Sequence, residues 1–327
     1  MTFLRNSTRA LVLAFGIGCL SPQVALAEDY PAKSIKLSVG FPAGQMTDLL
    51  TRVLAERLSK SLGETVVVEN KPGQGGSIAL GQLARAKPDG YELMLSPTAA
   101  LVINPALYKS VGYNTLKDFS PIAKVAEVPF VLVANADMPF DDVQGLIEYA
   151  RKNPGQLTFS SPGNGTLPHL GMALFQKQTG VSMTHIPYKG SPRAMIDLAS
   201  GRVNVGFDTE VVTKPFVQGK KMKVLAVTGD KRLDSMPDVP TVKESGVSNF
   251  ELVAWFGIVA PKGTSQHVVS LINRKVKEAA QDEEFVSLLS TTGARPSASS
   301  PEEFAELLAS EHTKWEAIVK DSAATVD

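Results

Sequence analysis

The sequence predicts an α/β fold in which two doubly wound domains face each other across a cleft. Strand and helix patterns alternate along most of the chain, an order that favours mostly parallel sheets joined by crossover helices. The alternation forms two series, so two similar sheets are expected in one chain. The length of 327 residues also suits two domains.

The first series begins with an apolar strand pattern, continues with an amphipathic helix, and repeats that order before a third strand. Its strands are expected at residues 35–40, 65–68 and 91–96 and its helices at 47–62 and 77–86, with a Lys-Pro-Asp-Gly turn at 87–90.

The second series has the same alternation. Its strands are expected at residues 130–134, 157–160, 183–186, 203–207 and 223–227, and its helices at 142–152, 166–179 and 192–199.

Three helical patterns close the chain after an apolar run at residues 250–260. The last helix begins with Ser300 as N-cap, Pro301 at the first helical position and Glu303 three residues after the cap. If these helices pack on the first sheet, the chain crosses between the domains twice, and two crossings make a hinge. The closing helices are expected at residues 265–280, 282–289 and 301–320, one domain at 28–126 with 252–327, and the other at 127–251.

The first 27 residues have the pattern of a signal peptide. Arg5 and Arg9 precede an apolar run at residues 10–20, and a small-residue site predicts cleavage after Ala27. The run is well short of the roughly 20 residues that span a bilayer. Cys19 suggests a lipoprotein site as an alternative, but Gly16 stands where such sites have a larger aliphatic residue. Export to the periplasm is therefore expected.

Composition excludes several classes of function. The 33 basic and 33 acidic side chains balance, so the basic surface typical of nucleic-acid binding is not expected. Cleavage after Ala27 removes the sole cysteine, so the mature chain relies on its core and not on disulfides. No long apolar stretch follows, which predicts a mature protein without membrane insertion. A monomer is the simplest expectation.

The segment at residues 41–48 connects a predicted buried strand to a helix. Free backbone N–H groups and the helix dipole favour an anion at such a position, and Ala43 and Gly44 leave room for a carboxylate to reach the backbone. Asp48 lies in the first helical turn. It is expected either to stabilise the helix dipole or to bind a ligand amine, a hydroxyl or a bridging water.

A matching segment follows a strand in the second series, at residues 160–169. Gly163 and Gly165 permit a tight backbone cradle. Ser160, Asn164 and Thr166 offer hydrogen-bond donors to a second anionic group, and Thr166 is also a candidate N-cap. An ordinary capped loop is the alternative. The presence of one such segment per domain favours a ligand site between them.

Other candidate positions follow strands in both series. Thr98 lies at the strand-end rim where open sheets bind ligands, and a turn hydroxyl is its alternative. Asp208 lies at the same place in the second sheet, where it faces the cleft or caps the next helix. His169 is expected either to contact the ligand or to make a structural hydrogen bond, whereas His185 is expected to be structural.

No enzyme, cofactor or metal site is predicted. The closest match to a serine nucleophile elbow, at residues 75–79, lacks the final glycine, and the turn at 73–77 is better explained by Ser77 as a helix cap. Gly163 and Gly165 lack the third glycine of a dinucleotide fingerprint. The four histidines have no metal-ligand spacing.

The mature chain resembles, nearly end to end, the substrate-binding subunits of tripartite tricarboxylate transporters, the Bug family of periplasmic receptors. The resemblance lies in a series of motifs that occur in order: Tyr30-Pro31, Phe41-Pro42-Ala43-Gly44 with Thr47-Asp48, Glu69-Asn70-Lys71-Pro72-Gly73, Ile103-Asn104-Pro105-Ala106-Leu107-Tyr108, Gly165-Thr166 with His169-Leu170, Pro187-Tyr188-Lys189-Gly190, Leu225-Ala226-Val227-Thr228 and Ala254-Trp255-Phe256-Gly257.

The resemblance implies a non-catalytic periplasmic-binding-protein clamshell that grips a small carboxylate and hands it to membrane transporter subunits. Gln45 replaces a second glycine that is usual in the family, so a longer polar side chain is expected in the cleft. The site residues nominated by position, together with Gln45, are Phe41, Ala43, Gly44, Asp48, Thr98, Ser160, Asn164, Gly165, Thr166, His169 and Asp208.

Two other functions are compatible with a two-domain cleft. A ligand sensor that feeds a membrane signalling protein would use the same closed form. A periplasmic hydrolase would need an activated nucleophile, and the sequence shows none.

Overall fold

One long strand, β4 (Phe119–Asn135), organises the fold because it belongs to both sheets of the molecule. The computed structural model describes residues 30–322 and residue 324. The predicted signal peptide, its cleavage after Ala27 and Cys19 lie outside these residues.

Parallel strands and their crossover helices precede β4 and form the first lobe. The elements are β1 (Ile35–Val39), α1 (Met46–Leu62), β2 (Val66–Asn70), α2 (Ser77–Leu83), β3 (Glu92–Pro97), a π-helical turn (Ala99–Ile103), α3 (Asn104–Leu107) and α4 (Thr115–Asp118).

The second lobe follows β4, and the chain then returns to the first. The second lobe contains α5 (Val143–Lys152), β5 (Thr158–Ser161), α6 (Leu167–Thr179), β6 (Thr184–Pro187), α7 (Ser191–Ala199), β7 (Val205–Thr209), α8 (Glu210–Gln218) and β8 (Met222–Val227). The returning elements are β9 (Val253–Pro261), α9 (Gln266–Ala279), α10 (Glu283–Thr291), β10 (Arg295–Pro296) and α11 (Pro301–Ser322).

The two lobes have the same strand order. It is β2-β1-β3-β9-β4 in the first lobe and β6-β5-β7-β4-β8 in the second. Strands β2, β1 and β3 are parallel in the first lobe, as are β6, β5 and β7 in the second. The strand that arrives from the other lobe, β9 in the first lobe and β4 in the second, lies antiparallel to its neighbours. The predicted fold of two doubly wound α/β domains is confirmed.

Strand β4 changes partners between Pro129 and Phe130. It pairs with β9 up to Pro129 and with β7 from Phe130 onward. The division of the chain at residues 126 and 251 stays a prediction, and this change of partner, close to residue 126, supports it.

Local sequence signals predicted caps for α11 and α2, and the structure confirms the first of them. The reciprocal cap predicted for α11 is confirmed, because the Ser300 N–H donates to Glu303 Oε2 at 2.7 Å and the Glu303 N–H donates to Ser300 Oγ at 3.1 Å. The cap predicted at Ser77 is wrong. Gly76 is the N-cap of α2, and the Ser77 hydroxyl instead accepts from the Asn104 side-chain amide at 3.0 Å.

Prolines account for two further differences from the predicted elements. Strand β4 begins well before residue 130 although Pro121 and Pro129 argue against a strand; Pro121 lies at an irregularity of the register and Pro129 at the change of partner. Helix α8 has no counterpart among the predicted elements, because Pro215 lies inside it and the β-branched run at 211–213 has low helix propensity.

Helix α11 closes the junction between the lobes. Its Phe304 and Trp315 are fully buried, in a core that includes Leu80 of the first lobe and Phe207 of the second. Phe304 packs so closely on Gly257 of β9 that no space remains for a Cβ there. Strand β9 is therefore held by tight apolar packing. None of the described helices, α11 included, is long and apolar enough to cross a membrane.

Candidate ligand site between the lobes

The ends of β3 and β7 meet the middle of β4. Pro97 of β3 pairs with Phe256, which pairs with Ala126 of β4, and Thr209 of β7 pairs with Phe130. At roughly 3.3 Å per residue, Ala126 and Phe130 are separated by about 13 Å along the strand. The parallel strands of both lobes therefore end towards the same part of β4, and ligands of open α/β sheets bind at such strand ends.

The first-lobe loop, residues 41–45, presents backbone N–H groups at the start of α1. Residues 42–45 are exposed, and no atom lies within 4 Å of the position that a Cβ would take on Gly44. Gly44 has a φ of 84°, which glycine adopts without steric cost. Gln45 is the N-cap of α1, but its side chain makes no capping hydrogen bond. The Gln45 N–H donates to the Pro42 carbonyl at 3.4 Å, so the open space beside Gly44 is combined with the first N–H groups of α1 as donors for an anion.

The half-buried Phe41 marks the inner end of this loop. A Cβ on Gly76 would lie 3.1 Å from the Phe41 ring, so the ring packs against the start of α2. The Phe41 carbonyl accepts a hydrogen bond from the Asn70 side-chain amide at 3.0 Å.

The Asp48 side chain is buried and bonded to protein groups. Asp48 Oδ2 accepts from the Gly44 N–H at 2.8 Å and from Arg52 Nε at 3.0 Å, and Oδ1 accepts from the Asn70 amide at 2.8 Å. Although burial alone would raise the pKa of Asp48, the hydrogen bonds from Arg52, Gly44 and Asn70 outweigh burial and lower it to about 2. Oδ2 therefore holds the loop at Gly44, and Oδ1 ties Asp48 to the end of β2.

The second-lobe loop, residues 162–166, lies between β5 and α6 and is held by internal hydrogen bonds. Thr166 is the N-cap residue of α6, as predicted, but its hydroxyl donates to the Gly163 carbonyl at 2.7 Å and makes no capping bond. The Gly165 N–H donates to His169 Nδ1 at 3.1 Å. Asn164 is exposed. The loop is thus built as a pre-shaped turn at a helix start.

Stacked imidazole rings support this loop. The ring centroids of His169 and His185 are 4.0 Å apart, and Phe159 stacks on His185 at 4.7 Å. Burial lowers the pKa of His169, and burial together with the neighbouring His169 lowers the pKa of His185 to about 4. Since His169 Nδ1 accepts a hydrogen bond, its proton is assigned to Nε2. Both rings are therefore neutral near pH 7.

The two lobes touch beside the second-lobe loop. Leu107 of α3, in the first lobe, occupies the space next to Gly165, so that a Cβ built on Gly165 would lie 2.5 Å from Leu107 Cδ2. Gly165 also has a φ of 72°. Both the backbone conformation and this contact between the lobes thus require glycine.

Thr98 is fully buried and bonded to β9. Its hydroxyl donates to the Trp255 carbonyl at 3.0 Å and accepts from the Trp255 N–H at 2.7 Å. Thr98 follows β3 directly and lies beside the start of β9. The hydroxyl is used within the protein.

Ser160 and Asp208 bring polar atoms to one face of the second sheet. Ser160 pairs with Gly206, and Asp208 lies two residues further along β7 on the same face. Ser160 Oγ and Asp208 Oδ2 are buried without a hydrogen-bond partner among the described residues. Asp208 Oδ1 accepts from the Thr209 N–H at 2.8 Å, and burial raises the pKa of Asp208.

Several residues of this region lie outside the predicted set. Arg52 and Asn70 bond Asp48, Ser161 bonds Gly163, and Leu107 contacts Gly165. Two signals were available in the sequence: Arg52 follows Asp48 by one helical turn, and Asn70 ends a parallel strand at the same edge of the sheet. Leu107 lies in one of the motifs shared with the family, but no local pattern assigns it to the site.

Ser161 and His185 form a pair that resembles a catalytic dyad, since Ser161 Oγ lies 2.7 Å from His185 Nε2. The pKa of about 4 makes His185 a weak base near neutral pH. Ser161 is fully buried and also bonds Gly163. The pair is therefore a structural contact. Within residues 30–322, no cluster of three or more histidine, cysteine, aspartate or glutamate side chains is arranged to hold a metal ion.

Two lobes of equal strand order, each with a helix-start loop after a parallel strand, have the architecture of a two-lobed solute-binding protein. Residues 50–323 match the family described as "Tripartite tricarboxylate transporter family receptor". The chain belongs to this family, as the resemblance predicted. The family is one of substrate-binding receptors and not of enzymes.

Similar proteins cover nearly the whole chain. Protein BugT of Bordetella pertussis is 35% identical over 98% of this chain and 99% of its own. Rpa4515 of R. palustris, solved with adipate, is 33% identical with a TM-score of 0.72 and covers 91% of this chain and 99% of its own. MatC of Rhodopseudomonas palustris, solved with malate, is 28% identical with a TM-score of 0.68 and covers 89% of this chain and 100% of its own.

Proposed function

We propose that this protein captures a small carboxylate between the first-lobe and second-lobe loops and delivers it to a membrane transporter. The observation that supports the proposal is that the ends of β3 and β7 meet the middle of β4, while a helix-start loop follows each of the neighbouring parallel strands β1 and β5. Two similar proteins were solved with the carboxylates adipate and malate, which supports a carboxylate as the ligand here. The residues proposed to bind or shape the ligand site are Phe41, Ala43, Gly44, Gln45, Asp48, Thr98, Ser160, Asn164, Gly165, Thr166, His169 and Asp208.

Closure of the lobes is part of the proposal. A carboxylate removed from water needs several hydrogen-bond donors. The first-lobe loop is exposed here, so its donors and those of the second-lobe loop can surround one ligand only if the lobes approach each other. Ligand binding then shifts the protein towards the closed form, which a membrane partner distinguishes from the open form by shape.

The proposed place of action is the periplasm, as a monomer. The signal-peptide pattern with cleavage after Ala27 supports export, and membership of a family of transporter receptors agrees with it. N-terminal sequencing of the exported protein tests the cleavage site. Analytical ultracentrifugation tests whether the protein is a monomer.

Calorimetry on the purified chain 28–327 tests the function. A panel of malate, adipate, citrate and their uncharged amides is titrated into the protein. We expect at least one carboxylate to bind and its amide not to bind, because backbone N–H groups favour the anion. A carboxylate at 100 times its Kd would add about 2.7 kcal/mol to the free energy of unfolding.

Replacement of Gly44 by Leu and of Thr166 by Val should abolish binding while the thermal transition of the protein is retained. Equal affinity of these variants and the wild type would refute the site. Failure of every carboxylate in the panel to bind would refute the function.

A further inference from the structure

The first-lobe loop is held from both sides by side chains that do not belong to it. Asp48 bonds the Gly44 N–H, and Asn70 bonds the Phe41 carbonyl. Arg52 joins the two, because its Nε donates to Asp48 and its Nη2 donates to Asn70 Oδ1 at 3.0 Å. The network therefore fixes both ends of a loop whose middle is exposed.

The charge of Asp48 creates a problem for a carboxylate site. Its side chain is 2% exposed and ionised near neutral pH, one helical turn from the N–H groups that would bind the ligand. The Asp48 carboxylate and a ligand carboxylate bound beside it would repel each other, and this repulsion would weaken ligand binding. The Arg52 guanidinium, 3.0 Å from Asp48, offsets this charge, and the Asn70 amide adds a neutral donor.

We propose that Arg52 and Asn70 are positioning residues for carboxylate binding. Asn70 fixes the Phe41 end of the first-lobe loop, and Arg52 offsets the charge of Asp48, so that no net negative charge lies beside the first N–H groups of α1. This inference rests on the proposed function and deepens it.

Replacement of Arg52 by Gln tests the charge. We expect the Kd for malate and adipate to rise about fivefold at low ionic strength, as for removal of one partner of a partly exposed ion pair, and the difference to shrink in 0.5 M NaCl. Lys60→Gln is the matched control, since Lys60 and Glu56 form the same type of pair on α1 at 2.8 Å, away from the loop. It should leave the Kd unchanged.

A double variant separates charge from structure. Asp48→Asn in the Arg52→Gln background removes the uncompensated charge while an oxygen remains to accept from Gly44. Recovery of most of the lost affinity supports the proposal. A Kd in Arg52→Gln equal to that of the wild type, or no recovery in the double variant, would overturn the role of Arg52.

Hydrogen exchange tests Asn70 without any ligand. In Asn70→Ala the Gly44 amide should exchange at least tenfold faster than in the wild type, because the Asp48 acceptor loses one of its supports, while amides of β5 remain unchanged. An unchanged Gly44 rate would overturn the role of Asn70. If the wild type binds no carboxylate, the proposed function fails, whereas the exchange experiment still decides whether the network positions the loop.

Discussion

Thr98 and Trp255 hold each other by two hydrogen bonds between the end of β3 and the start of β9. The Trp255 N–H donates to Thr98 Oγ1 at 2.7 Å, and the Thr98 hydroxyl donates to the Trp255 carbonyl at 3.0 Å. Thr98 therefore replaces a backbone pairing at the end of β3 and fixes the strand that returns from the second lobe.

Thr98→Val should reduce the free energy of unfolding by about 2 kcal/mol, because the buried Trp255 N–H and carbonyl lose their partner. Urea unfolding measures the change. Thr98→Ser keeps the hydroxyl and serves as the control, which should retain most of the stability and the full ligand affinity. A Val variant as stable as the Ser variant would contradict this role.

Gly165→Ala should impair the second-lobe loop for two separable reasons. A Cβ there would lie 2.5 Å from Leu107 Cδ2. The backbone also has a φ of 72°, which residues other than glycine rarely adopt. Gly155 has a φ of 73° with no atom within 4 Å of its Cβ position, so Gly155→Ala carries the backbone cost alone. We expect the free energy of unfolding to fall by about 1 kcal/mol in Gly155→Ala and by about 3 kcal/mol in Gly165→Ala. Ligand binding should also be weaker in Gly165→Ala.

The double variant Leu107→Ala with Gly165→Ala isolates the contact between the lobes. If Leu107 causes the additional cost, the two substitutions should show a favourable coupling of about 1 kcal/mol in a double-mutant cycle measured by urea unfolding. Additive effects would mean that the loop does not depend on Leu107.

Local patterns predicted the features that depend on neighbouring residues. The strand-to-helix loops at Gly44 and Gly165 follow from alternation and small residues, and the Ser300 cap follows from its spacing to Glu303. Partners distant in sequence had no local signal. Trp255 lies 157 residues from Thr98, and the pairing of these residues depends on the return of the chain to the first lobe along β9.

The role of Asp48 shows the same limit. Its place in the first helical turn was predicted, with dipole stabilisation and ligand contact both left open. Its three hydrogen-bond donors, Gly44, Arg52 and Asn70, come from a loop, a helix and a strand. Only the folded arrangement reveals that its oxygens are engaged.

Acid should destabilise the protein through the stacked histidines. The pKa of His185 is about 4 in the folded protein against 6.5 for an unperturbed histidine, and the pKa of His169 is also lowered. Between about pH 6.5 and 4 the unfolded chain therefore binds more protons than the folded protein, so stability falls as the pH drops through this range. Urea unfolding at pH 7, 5.5 and 4.5 measures the slope.

His185→Phe separates this effect from those of the carboxyl groups. The variant keeps an aromatic ring beside Phe159 and removes one titrating group, so its stability should depend less on pH between 6.5 and 4 than that of the wild type. Asp48 titrates below this range, at about 2, and the raised pKa of Asp208 acts in the opposite direction because protonation there favours the folded state. Equal slopes in the wild type and in His185→Phe would therefore show that the His185 imidazole is not the group responsible.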